Sequence, residues 1–231
     1  MIGVLFDFNG VLFEDSHIHE RAWNEFIRCA AGREITLDEL RQFVHGRQNR
    51  SALRYVFGDS LLDTDAASFS EQKEAIYRDL CNSGEFKVEL TPGTKKLFDF
   101  LKSNDIPNTI VTSACKSNVD FYFDIFQLHQ WFEPDLVVFD DGVIPGKPDP
   151  APYLEGAARI GLPISRCIVI EDSVSGVAAS RAAGAHHVAG FGPPELEGGL
   201  IAAGADSVFS RFTDNVIQKI VGSLKVEYVK D

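Results

Sequence analysis

Apolar residues along the chain gather into short runs separated by longer stretches of mixed character. Residues 2–6, 109–111, 136–139, 167–170 and 187–189 are apolar runs, most of them rich in Val and Ile, bounded by polar residues or glycine. Runs of this length and continuity predict strands buried on both faces, as in a parallel sheet. A sixth run, residues 207–209, predicts an edge strand. Between the runs the spacing turns helical: Leu97, Phe98 and Leu101 share one face of residues 93–102, as do Tyr153, Leu154 and Ala157 in residues 150–160. Strand and helix in alternation imply a Rossmann-like, doubly wound α/β sheet.

The alternation fails once. Residues 14–88 carry helical patterns and no strand, and read as an inserted α-helical domain, leaving residues 1–13 and 89–231 for the α/β core. Asp15 or Ser16 is positioned to cap the first helix, with Ile18, Ala22, Phe26 and Ala30 on its apolar face. Further helices are predicted over residues 36–44, 49–57 and 66–80. The two crossings between insert and core, near residues 13–14 and 87–90, could serve as a hinge.

Composition narrows the range of functions. A chain of 231 residues that is 45% apolar can bury a large core. Its net charge of −12 argues against nucleic acid or an anionic membrane surface as partner. A small anionic ligand is compatible, given a local nest of Lys or Arg. The first apolar run is too short to span a membrane and lacks the flanks of a leader peptide. Cys29, Cys81, Cys115 and Cys167 are scattered without a C-x-x-C pair, which suits reduced thiols in a cytoplasmic protein. The 18 phenylalanines read as core, and nothing points to an obligate protein partner.

In open parallel sheets ligands bind at the carboxyl ends of the strands. Asp7 and Asn9 follow the first run, Thr112 and Ser113 the second, Gly146-Lys147-Pro148 the third, and Glu171-Asp172 the fourth. Carboxylates crowded at one edge repel unless a hard cation sits among them, and Mg²⁺ favours one or two carboxylates with phosphate and water oxygens. The lysine and hydroxyls suit the phosphate, and an aspartate facing a phosphoryl group can act as a covalent nucleophile. Bland readings exist for each residue alone: Glu171-Asp172 could cap a helix starting at Ser173, and Thr112-Ser113 could lead into a helix near Lys116.

Four motifs in order, Asp7-Phe8-Asn9-Gly10-Val11-Leu12, the hydroxyl pair after Ile110-Val111, Gly146-Lys147-Pro148-Asp149-Pro150, and Glu171-Asp172-Ser173-x-x-Gly176, resemble those of the haloacid dehalogenase superfamily of phosphohydrolases. The segment from Val169 to Ala179, with the later Ala182-Ala183-Gly184, is similar to the branch containing β-phosphoglucomutase and small sugar-phosphate or phosphoglycolate phosphatases. This resemblance implies that Asp7 is phosphorylated, that Thr112 binds the transferring group, and that Lys147 neutralises both. It implies a Mg²⁺ held by Asp7, the main-chain carbonyl of Asn9 and Asp172, with help from Glu171. Within the helical cap it implies substrate contacts from His19 and Arg50, and as substrate a small phosphorylated metabolite.

One position departs from the pattern. The family's phosphatases and mutases carry a second aspartate two residues after the nucleophile, as acid and then base; here that residue is Asn9, whose amide cannot shuttle a proton at neutral pH. Three explanations stand side by side: His17, His19 or Glu14 supplies the proton; the natural protein is slow or only binds; or the residue is a deliberate Asp→Asn change. The expected activity is hydrolysis, with a phosphosugar mutase and a non-catalytic phosphometabolite-binding protein as alternatives.

Overall fold

In the computed structural model, which describes residues 2–213, 220 and 222, the chain divides into two compact units. One is Asp15–Glu89; the other combines Met1–Glu14 with Leu90–Asp231.

The first unit is helical: α1 (Ser16–Ala31), α2 (Leu37–Phe43), α3 (Asn49–Phe57) and α4 (Asp63–Asn82). Its core joins Trp23, Phe26 and Ile27 of α1 to Leu40 of α2, Leu53 of α3 and Ala66 of α4. A capping box starts α2, where the Thr36 hydroxyl accepts from the Glu39 N–H and the Glu39 carboxylate accepts from the Thr36 N–H. Asp15 does not cap α1 as expected: its side chain makes no cap hydrogen bond and is buried, accepting from the Tyr77 hydroxyl at 2.5 Å. The longest helix, α4, exceeds the predicted span at both ends and hides two charges, Lys73 and Glu74. Lys73 Nζ donates to Glu74 Oε1 at 2.8 Å, lies 2.7 Å from His19 Nδ1, and sits over the Trp23 and Tyr77 rings. Glu74 also accepts from Asn49 Nδ2.

The second unit carries a sheet of β1 (Gly3–Phe6), β2 (Asn108–Cys115), β3 (Val138–Asp140), β4 (Cys167–Glu171), β5 (His187–Phe191) and β6 (Ser207–Phe209). The strand order is β3-β2-β1-β4-β5-β6 and every neighbouring pair is parallel. Helices α5 (Thr94–Ser103), α6 (Lys116–Phe126), α7 (Ala151–Arg159), α8 (Val174–Ala183) and α9 (Pro194–Ala203) complete the doubly wound arrangement. Leu5, Val111, Val169 and Val188 are fully buried within one apolar cluster, which explains the unbroken apolar runs. The order reverses beside β1: the chain passes from β1 to β2 and β3 on one side, then returns to β4 on the other. Such a switch point opens a crevice beyond the strand ends.

Two expectations need correction. Strand β2 does not stop at Val111 but runs through Thr112 and Ser113 to Cys115, with a register shift against β3 between Val111 and Cys115. Helix α9 had no counterpart in the apolar pattern. Among the described residues no helix is long and apolar enough to cross a membrane.

Candidate active site

Asp7 is the first residue beyond β1, and its N–H donates to the Ile170 carbonyl of β4, fixing it at the switch point. The chain then turns tightly: the Phe8 carbonyl accepts from the N–H groups of Val11, Leu12 and Phe13, while the Gly10 N–H donates to Phe13. Gly10 has φ +81°, and a Cβ there would lie 2.0 Å from Asp172 Oδ2. Only glycine satisfies both the left-handed backbone and this close approach.

Lys147 reaches the same place from the loop after β3. Its ammonium is buried and donates to Asp7 Oδ1 at 2.6 Å, Glu171 Oε1 at 2.6 Å and the Val111 carbonyl at 3.1 Å, so all three N–H bonds are directed. Burial works against this charge, but Asp7 and Glu171 outweigh it and hold the ammonium above its ordinary range. Burial raises the Asp7 carboxyl to about 7; Lys147 opposes the rise and Glu171 adds to it.

Glu171, the last residue of β4, is fully buried and accepts four hydrogen bonds. Lys147 and the Tyr153 hydroxyl (2.9 Å) share Oε1, and the N–H (2.9 Å) and hydroxyl (3.0 Å) of Ser173 share Oε2. Burial first, then the charges of Glu171 and Asp7, push the Tyr153 hydroxyl well above its usual value, so it stays a donor. Ser173 also caps α8, accepting from the Gly176 N–H at 3.0 Å. A Cβ at Gly176 would come 1.6 Å from Glu171 Oε1, so this helix start approaches the carboxylate as only glycine allows.

Asn9 is half-buried beside this cluster. Its Nδ2 donates to the Tyr122 hydroxyl at 2.8 Å, and its Oδ1 faces the Thr112 hydroxyl at 3.4 Å. Tyr122, on α6, is buried and stacked on Phe8 with ring centroids 4.3 Å apart. Thr112 Oγ1 accepts from the Ala114 N–H at 3.1 Å; Ser113, next on β2, is half-buried.

Asp7, Asn9, Thr112, Lys147, Glu171 and Asp172 are thus gathered at one sheet edge from four separate stretches of chain. Ser113 follows Thr112 on β2, and the other two sequence candidates belong to the helical unit. His19 stacks on Tyr77 at 3.9 Å and lies 3.4 Å from Asp15, within the buried network around Lys73; Arg50 is paired with Asp63. Sequence reasoning missed Tyr122, Tyr153 and Gly10's contact with Asp172. The tyrosines stand on helices, with only helical spacing to mark them as core, whereas a glycine three residues after the strand-end aspartate was a readable signal.

Carboxylate oxygens of Asp7, Glu171 and Asp172 lie within 4.8 Å of one another. An all-oxygen donor set beside the main-chain carbonyls of the 8–13 turn fits a hard divalent ion such as Mg²⁺. Glu171 is already saturated by four donors, which leaves Asp7 and Asp172 as the carboxylates best disposed to face it, Asp172 against the glycine that makes room for it.

Residues 2–184 match the haloacid dehalogenase-like hydrolase family. The chain is 31% identical over 195 residues to hexitol phosphatase A of Escherichia coli, with 84% of each chain covered. It is 27% identical over 212 residues to a phosphorylated carbohydrates phosphatase of Thermotoga maritima, covering 87% of this chain and 93% of that one. Among solved structures, a haloacid dehalogenase hydrolase of family IA, variant 3, from Entamoeba histolytica superposes with a TM-score of 0.83 at 32% identity, over 96% of this chain and all of the other. Fold, strand-end chemistry and sequence agree, and the chain belongs to the haloacid dehalogenase-like hydrolase family.

Proposed function

We propose that this hydrolase removes phosphoryl groups from small phosphorylated metabolites, sugar phosphates or similar, through an aspartyl-phosphate on Asp7. The observation that carries the reading is the buried Asp7 carboxylate held by Lys147 at 2.6 Å, with Asp172 and Glu171 beside it. Two of the relatives above are phosphatases by name, which supports the reaction class.

Asp7 Oδ attacks phosphorus, and the bond to the leaving oxygen breaks; water then attacks the acyl phosphate and restores the carboxylate. Lys147 offsets negative charge on Asp7 and on the transferring group, and Glu171, clamped by Tyr153 and Ser173, keeps the ammonium in place. Thr112 contributes a hydroxyl to the phosphoryl oxygens, with Ser113 next to it. Asp7, the Asn9 carbonyl and Asp172, supported by Glu171, are the proposed Mg²⁺ ligands; the ion would supply charge neutralisation for phosphate when bound. Residues 14–88 are proposed as the substrate-selecting cap, with His19 and Arg50 as its polar contributors.

Incubation with Mg²⁺ and a panel of phosphate compounds tests this reading. Release of phosphate that falls by about 10⁴-fold or more in Asp7→Ala is the expected result. Binding of Mg²⁺ and ligand with no phosphorylation of Asp7 and no phosphate release from any compound would replace it with a binding role.

A further inference from the structure

Asn9 follows Asp7 by two residues, the position where the family resemblance implies an acid, and both ends of its amide are held. The NH₂ group donates to Tyr122 and the carbonyl oxygen faces the Thr112 hydroxyl. Around the proposed nucleophile, Lys147 has its three N–H bonds directed at Asp7, Glu171 and Val111. The Tyr153 hydroxyl is committed to Glu171. Among the described residues packed around Asp7, the Asn9 amide, the Lys147 ammonium and the Tyr153 hydroxyl are therefore all committed elsewhere than to a departing oxygen.

Departure without a proton is easy for some oxygens and hard for others. An alcohol leaving from an alkyl phosphate departs as an alkoxide, a very strong base, and general acid catalysis typically supplies ~10²–10⁴-fold in such steps. A carboxylate, whose conjugate acid has a pKa of roughly 4, needs no proton to leave. We propose that, within the small phosphorylated metabolites named above, this centre acts fastest on phosphoryl groups carried by an oxygen that is stable as an anion, with acyl phosphates as the simplest members and enol phosphates and phosphoanhydrides in the same class, and only slowly on the alkyl esters found in most sugar phosphates. This rests on Asp7 being the nucleophile. In the first step the Asp7 oxygen bonds to phosphorus while the leaving oxygen takes the electron pair of its broken P–O bond and departs unprotonated. In the second, water bonds to phosphorus, the Asp7 carboxylate leaves, and both water protons end on the released dihydrogen phosphate.

The test compares kcat/KM, which reports the step that expels the leaving group, for acetyl phosphate, 4-nitrophenyl phosphate and sorbitol 6-phosphate. Measurements with Mg²⁺ use the wild-type chain and the near-isosteric Asn9→Asp, whose carboxylate can accept from both Tyr122 and Thr112. Because Asn9 precedes glycine, a pairing prone to deamidation, each preparation is checked by mass for retention of the amide. Wild-type rates should fall steeply from acetyl to alkyl phosphate. Asn9→Asp should raise the ratio of alkyl-ester to acyl-phosphate rates by ~10²-fold or more. A ratio that Asn9→Asp leaves unmoved, or wild-type activity on sorbitol phosphate equal to that on acetyl phosphate, overturns the proposal, since another group would then be supplying the proton. Acetyl phosphate turnover that survives Asp7→Ala instead overturns the nucleophile itself. The two failures are therefore distinguishable.

Discussion

At position 10 the chain has room for a hydrogen atom and little else. The positive φ and the 2.0 Å separation between a notional Cβ and Asp172 Oδ2 mean that Gly10→Ala must strain the turn, displace the Asp172 carboxylate, or both. Displacement of a proposed metal ligand should weaken Mg²⁺ binding by about 10–100-fold, the range found when groups that orient ligands are lost. Titration calorimetry with Mg²⁺ alone would check it, and unaltered affinity would show that Asp172 is not a ligand. Gly176→Ala makes the complementary probe, because its Cβ meets Glu171 rather than Asp172. That change should loosen Lys147 and cut phosphorylation of Asp7 more than it weakens the metal. At this scale the residues gathered around Asp7 were legible, since the ends of the apolar runs mark them. Their supports were not: Tyr153 lies 18 residues from Glu171, and Tyr122 lies 113 from Asn9, separations no local pattern reports.

Elements were read well where one face alone decides their burial. Strand β6 and helix α3 have the expected bounds, because turn and cap residues interrupt the pattern sharply on both sides. Strand β2 was cut short because Thr112, Ser113 and Cys115 are small or polar, although the ladder to β3 carries them as far as Cys115. Helix α9 begins with prolines at its cap and first position and glutamates in its first turn, a start signal overlooked because Gly198 and Gly199 dilute the helical pattern. In α2, Thr36→Ala removes the capping box and should cost about 1 kcal/mol in unfolding free energy, measured by urea titration. In α4, the neighbouring charges Lys73 and Glu74 are both buried. Lys73→Met leaves Glu74 without its cation and should cost ~3–5 kcal/mol.

That pair also gives the helical unit an acid dependence. Burial opposes the Glu74 charge, yet Lys73, His19 and Asn49 together bring its carboxyl down to about 2 from an ordinary 4.5. Between those values the unfolded chain binds more protons than the folded one, so stability rises with pH through the window. Glu74 therefore contributes fully above about pH 4.5 and progressively less as pH falls toward 2. Urea unfolding of Glu74→Gln should show a shallower loss over that range than the wild type; an equal slope would assign the acid dependence elsewhere.

For the whole molecule, an ion that binds only the folded chain must raise its stability by mass action, about 2.7 kcal/mol at a hundredfold excess over Kd. Addition of Mg²⁺ should raise the melting temperature and chelation should reverse it, while Asp172→Asn should show little of either response; a rise undiminished in that variant would place the ion elsewhere. The compact helical unit, Asp15–Glu89, lies one residue along at each crossing from the 14–88 insert expected at the one break in strand-helix alternation, a feature of the entire sequence rather than of any residue.

The placement of β1 bears on how the chain is made. It emerges from the ribosome before its two neighbours, yet it lies between β2, which begins at Asn108, and β4, which begins at Cys167. Until residue 171 has appeared, one edge of this apolar strand has no partner, and Asp7, the proposed nucleophile at its tip, lacks the Ile170 carbonyl that anchors it. Nascent chains that stall before that point present an open, hydrophobic sheet edge, the form most prone to pair with another copy. Slow translation or truncation between the two strands should therefore yield aggregate rather than a partly working enzyme.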